Sequence, residues 1–190
     1  MKIYLKWFAI PLLIAVLASA LYIVDALIGG LFVDGGSFMW VGFAIWTIFY
    51  GASIKDRIKG FIGVIVGFVA ALLMMSITNS FDLNLGNISI SCLIGVFIVN
   101  GLVMMLDKTE KLWLNSITGV FAGIFLTFSG LGTSLAPLSE VSDCFIMLAI
   151  LAVYTILGLI CGFFSIYCTG KIKGALAQKE DAQPKTTEEK

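Results

Sequence analysis

The chain has 190 residues, 59% hydrophobic and 13% charged, with 12 basic and 12 acidic side chains. Soluble domains carry about 25% charged residues, so a water-soluble globule is excluded. Disorder is excluded too, because it needs low hydrophobicity and high net charge, and a net charge of zero leaves no basic field to hold nucleic acid.

Charges divide the chain into six long uncharged runs, the shortest 7–24 and the longest 112–139. About 20 apolar residues cross roughly 30 Å of hydrocarbon, and these runs lack the alternation of barrel strands. The expectation is an all-α integral membrane protein with six transmembrane helices. The first is predicted over 7–24, behind Lys2 and Lys6. Within it, Ala18-Ser19-Ala20 looks like a signal-peptide cleavage site. The apolar run continues through Val24, however, so the helix is expected to be retained. Asp25, at its end, is read as a solvated end charge, and Asp107 likewise.

The second helix is predicted over 38–53, where Ala44, Thr47 and Gly51 recur at spacings of three and four and so share one face. Trp46 falls away from the helix ends, unlike Trp7, Trp40 and Trp113. A loop with Lys55, Arg57 and Lys59 leads to the third helix, 60–78, with Gly60, Gly63, Gly67 and Ala71 on one stripe. G-x-x-x-G spacing lets membrane helices approach closely. The fourth helix, 88–106, contains Asn100 beside Gly101. An amide in lipid needs partners, so Asn100 either lines a pore or clamps a neighbouring helix. The fifth, 112–130, has the stripe Ser116, Gly119, Gly123, Thr127 and Gly130, with Phe121, Phe125 and Phe128 between. The sixth, 144–170, has Thr155, Gly158, Gly162 and Ser165. The polar segment 174–190 is expected to be a disordered cytoplasmic tail beyond a transmembrane domain of residues 1–173.

With both termini in the cytoplasm, all 12 basic residues fall on one side of the membrane, as the positive-inside rule requires. Asp25, Asp34, Asp82, Glu140 and Asp143 fall on the other. Helices two and five share Phe-Ala, a following Thr, an aromatic and a Gly, with one residue of slip. Helices three and six share their glycine stripes. Three helices per half makes the halves opposite in direction, so the pattern predicts an inverted 3+3 repeat, first half about 7–78 and second about 88–170. Such repeats are common in secondary transporters, with the binding site at the midplane between halves.

Histidine is absent, which removes the commonest proton shuttle and metal ligand. Cys92, Cys144, Cys161 and Cys168 form no C-x-x-C pair and read as small apolar residues. No nucleotide-binding fingerprint appears. No catalytic residue, metal or cofactor is expected, and the chain is not read as an enzyme.

The pattern Phe-Ala, then Thr, an aromatic and Gly, at Phe43 to Gly51 and at Phe121 to Gly130, resembles domain-of-unknown-function family 1097. These are the YcdZ-like bacterial inner-membrane proteins. Lys59-Gly60 opening a Gly-rich third helix and a basic tail after the last helix are similar too. The resemblance implies a bacterial inner-membrane location and no activity.

The functional expectation is a channel or transporter for a small uncharged or weakly charged solute, with its pathway between helices two and five. Phe43, Thr47, Gly51, Asn100, Phe121, Gly123, Thr127, Phe128 and Gly130 are its candidate pore-lining or substrate-binding residues. Expected partners are the lipid bilayer, the solute and further copies of the chain, with no nucleic acid. The alternative is a non-transporting assembly or regulatory partner of another membrane protein.

Overall fold

The computed structural model describes residues 2–33, 36–81, 83–85, 88–107, 116–132 and 141–181. Six α-helices carry most of them: α1 Lys2–Ile28, α2 Met39–Ile48, α3 Ile54–Ser80, α4 Ile90–Asp107, α5 Ile117–Gly132 and α6 Val141–Asp181. A short antiparallel hairpin, β1 Asn84–Leu85 with β2 Ile88–Ser89, joins α3 to α4. Ser91 ties it to the helices: its hydroxyl donates to Phe81 O at 2.6 Å and accepts from Leu83 N–H at 3.1 Å. Among the described residues, three segments are long and apolar enough to cross a membrane: Phe8–Leu31, Ile54–Ser80 and Ser142–Ala175.

α2 falls furthest short of its expected span. Its 10 residues rise about 15 Å at 1.5 Å per residue, about half the hydrocarbon thickness. Phe49 N–H still reaches Ile45 O, but Tyr50 and Ala52 N–H groups bond carbonyls three residues back. Gly51 then turns the chain at φ 84°, a conformation glycine adopts without steric cost. Ser53 immediately caps α3. Its Oγ accepts from Asp56 N–H at 3.2 Å and donates to the Asp56 carboxylate at 2.6 Å, an N-cap that fixes the helix start. The cap moves the start of the third helix from 60 to Ile54, and Lys55, Asp56, Arg57 and Lys59 leave the expected loop for the first turns of α3.

α6 also overruns its expected end. Ala175, Leu176, Ala177, Gln178 and Lys179 are strong helix formers, and the helix runs to Asp181. The first part of the expected disordered tail is therefore helical, while 182–190 lie outside the described residues. So do Asp34, Asp82, Lys108, Lys111 and Glu140, whose charges bear on the expected orientation.

The small-residue stripes of α3, α5 and α6 prove to be seams; that of helix two does not, since Thr47 is exposed and Gly51 has open space around it. α3 and α5 form the most extensive helix pair, α2 packs chiefly on α6, α4 on α3, and α1 on α6. A Cβ on Gly63 would lie 2.9 Å from Gly119 Cα, and one on Gly119 would lie 2.6 Å from Gly60 O. One on Gly67 would strike Val120 O, and one on Gly123 would strike Val64 O. Backbones can approach this closely only where no Cβ intervenes. On the other side of the bundle, Gly158 of α6 faces Gly42 O of α2 in the same way. The main core joins these pairs through Val41, Ile45, Val64, Leu126, Ile150 and Tyr154. The outward surface stays apolar, with Phe8, Phe97, Phe125 and Phe145 exposed. Such a surface suits lipid and would be a liability in water.

Candidate functional site

A cleft of about 430 Å³ opens where α2 runs into α3 and α5 begins. Ile48, Phe49 and Ala52 line it from the α2 end, Asp56 and Lys59 from α3, and Ser116, Ile117 and Thr118 from the start of α5. Its size falls in the range of small-molecule sites, and its exposed lining is more polar than apolar. The Ser116 hydroxyl accepts from Gly119 N–H at 3.3 Å and so helps to close the first turn of α5. At the base of the cleft, the Phe49 ring occupies the space where a Cβ on Gly60 would sit. Phe49 is itself buried, and the Gly63–Gly119 contact shuts the seam beyond.

The nine residues singled out from the sequence do not gather around this cleft. Gly51 sits in the exposed turn beside it. Thr47 is exposed and donates to Phe43 O on its own helix at 2.9 Å. Phe43 is half-buried and stacks on Trp46, the ring centroids 6.1 Å apart. On α5, Gly123 belongs to the seam with α3. Thr127 is fully buried and donates to Gly123 O at 2.7 Å. Gly130 is buried near the end of the helix. Phe121 and Phe128 lie on the exposed face of α5, since a helix that turns its glycines toward one neighbour presents the residues between them elsewhere. Asn100 lies on an outward groove of α4, in a different part of the bundle. The structure brings together Gly123 and Thr127, and Phe43 and Thr47, each pair within a single helix. The principal neighbour of α5 is α3 and that of α2 is α6; α2 and α5 meet only along a short contact.

Two buried charges escaped the sequence reading. Asp25 is 2% exposed rather than solvated. Its Oδ2 accepts from Ser37 Oγ at 2.6 Å, and its Oδ1 accepts from Phe38 N–H at 2.9 Å and from Tyr154 Oη at 2.5 Å. Phe38 is the N-cap of α2 and has no side-chain cap of its own. Asp25 supplies that cap from α1, placing negative charge at the positive end of α2, and anchors α6 through Tyr154. Its signal in the sequence was an acid at the end of a long apolar run, with Ser37 a short return along the chain.

Arg57 is the second, at 6% exposure. Nε donates to Ala52 O at 3.0 Å and Nη1 to Leu159 O at 2.6 Å. The guanidinium lies 6.0 Å from the Phe163 ring centre. A Cβ on Gly162 would come within 3.1 Å of Nη1, so the glycine leaves room for the cation. Arg57 therefore ties the start of α3 to the middle of α6. A third long-range tie is the Trp46 indole N–H, which donates to Ser165 Oγ at 3.2 Å.

Among the described residues no three acids or cysteines come together as metal ligands, and the four cysteines are free thiols. No curated protein and no solved structure matches the chain. A family model described as "protein of unknown function (DUF1097)" matches residues 11–170, so the chain belongs to that family.

Proposed function

We propose that this protein is a multi-pass membrane channel or transporter for a small, uncharged or weakly charged solute. Its entrance is the cleft between the end of α2 and the start of α5. The observation that carries the reading is the early end of α2, whose turn lines a polar cleft. Irregular backbone at membrane depth is tolerated where it lines a water-filled cavity, and interrupted helices are a recurrent feature of transporter sites. The positive-inside rule puts this entrance and both termini on the cytoplasmic side.

The helix contacts support an inverted repeat. Exchanging α1 with α4, α2 with α5 and α3 with α6 carries the α3/α5 pair onto α6/α2, α1/α6 onto α4/α3, and α1/α2 onto α4/α5. The α5/α6 contact has no counterpart of its size between α2 and α3. In the exchange, Gly63 and Gly67 against Gly119 and Gly123 correspond to Gly158 and Gly162 against Gly42 and Trp46. The pairs α2/α5 and α3/α6 map onto themselves and so flank the pseudo-two-fold axis, where repeat transporters place their sites. The close-packed glycine seams favour a second reading, an assembly or regulatory partner without a solute.

Stopped-flow light scattering on proteoliposomes, with a panel of small neutral and weakly ionised solutes, tests the proposal. Protein-dependent flux is expected, lowered at least tenfold by Thr118→Trp, which fills the cleft mouth, and raised by Phe49→Ala, which opens its base. Folded protein that passes none of the solutes refutes transport and leaves the partner reading.

A further inference from the structure

We propose that the outward face of α4 is the interface of a two-fold homodimer, with Asn100 pairing to Asn100 of a second copy. α4 rests on α3 and, less extensively, on α5. Its opposite face is bare: Phe97 is 80% exposed and Met105 69%. A groove of about 1150 Å³ runs along this face, and Asn100 is the polar side chain among apolar neighbours such as Phe97, Leu102 and Met104. None of the described residues hydrogen-bonds the Asn100 amide.

That amide selects the occupant. In hydrocarbon a polar group without a partner is costly, and acyl chains offer neither donor nor acceptor. An apolar partner helix would leave it equally unsatisfied. A carboxamide is both donor and acceptor. Two of them at equal depth, related by a two-fold axis along the membrane normal, satisfy each other with two reciprocal hydrogen bonds. Such an interface is isologous and closes at two copies. Gly101, next to Asn100, has open space where its Cβ would stand, so two α4 helices can approach closely there. The surface lies away from the cleft and does not depend on it.

The test is self-association of the full chain, labelled separately with donor and acceptor dyes and mixed in liposomes over a range of protein-to-lipid ratios. Saturable transfer fitting a dimer is expected. Asn100→Leu should raise the dissociation constant roughly tenfold, Asn100→Gln should restore most of the loss, and Gly101→Leu should weaken association by blocking close approach. At protein-to-lipid ratios low enough for the parent to be monomeric, the thermal midpoint of each variant should match it, because association adds to the apparent stability only at higher ratios. Phe97→Cys should cross-link between copies, while Phe164→Cys, on the exposed face of α6, should not. Monomer at every ratio, a dimer indifferent to Asn100→Leu, or cross-linking through α6 in place of α4 each overturns the proposal. Should Asn100→Leu fail to fold, Gly101→Leu and the cross-links decide between the same two outcomes.

Discussion

Replacing Asp25 with alanine removes the acceptor of three hydrogen bonds at once. Ser37 is exposed and can turn to water. Phe38 N–H and the Tyr154 hydroxyl cannot, because both residues are buried. A buried donor left without a partner costs about 1–3 kcal/mol. Two such donors, less the relief of no longer burying a carboxylate, put Asp25→Ala at about 2–4 kcal/mol of lost stability. Asp25→Asn keeps an oxygen for Phe38 and Tyr154, and Ser37 can accept from the new amide, so its cost should stay within about 1 kcal/mol. Tyr154→Phe should cost about 1–2 kcal/mol. Because the two side chains share a bond, the Asp25→Ala/Tyr154→Phe double variant should fall short of the sum by about 1 kcal/mol. Reversible denaturant unfolding in mixed micelles, followed by tryptophan fluorescence, measures all four. An Asp25→Ala loss below about 0.5 kcal/mol, the scale of surface substitutions, refutes the reasoning. Strict additivity in the double variant refutes it as well.

Further outcomes are expected at the glycines, at Arg57 and across the membrane. Gly67→Ala sets a Cβ against Val120 O on a backbone that cannot yield and should cost about 2–4 kcal/mol. Gly170→Ala, with nothing near its Cβ, should gain about 0.5–1 kcal/mol from helix propensity; both are read by denaturant midpoints. Arg57→Met fills the space and removes a buried charge but, like alanine, donates to neither Ala52 O nor Leu159 O, so it should lose less than alanine, about 1–2 kcal/mol. Arg57→Ala leaves a void and two carbonyls unserved and should lose about 2–4 kcal/mol, measured by thermal unfolding in detergent. Leu85→Cys, on the exposed hairpin, should react with an impermeant maleimide from outside intact cells, and Lys179→Cys only after permeabilisation; the reverse pattern would invert the topology.

Composition and charge spacing alone determined that the chain is built of apolar helices and where small residues fall on them. These features follow from local transfer energies and helical period, which are properties of short segments. The stripe of Gly60, Gly63 and Gly67 was readable as a close-contact face, and close contact is what it makes. The partner of that stripe was not readable. Similarity pointed to helix two facing helix five, while packing set α3 against α5 and α2 against α6, because any two glycine faces satisfy the same local rule. The end of α2 depended on the Gly51 turn and the Ser53 cap acting against a run of continuous hydropathy. Asp25 and Arg57 show the limit most clearly. An acid or a base at the end of an apolar run looks solvated until the chain returns. Only the tertiary structure brings Ser37, Phe38 and Tyr154 to the carboxylate, and Leu159 and Phe163 to the guanidinium. Burial of a charge is decided by groups remote in sequence, whose hydrogen bonds offset the loss of water. For the same reason Asn100, read along the chain, stood between lining a pore and clamping a helix, and its place in the outward groove of α4 came from the arrangement of the helices.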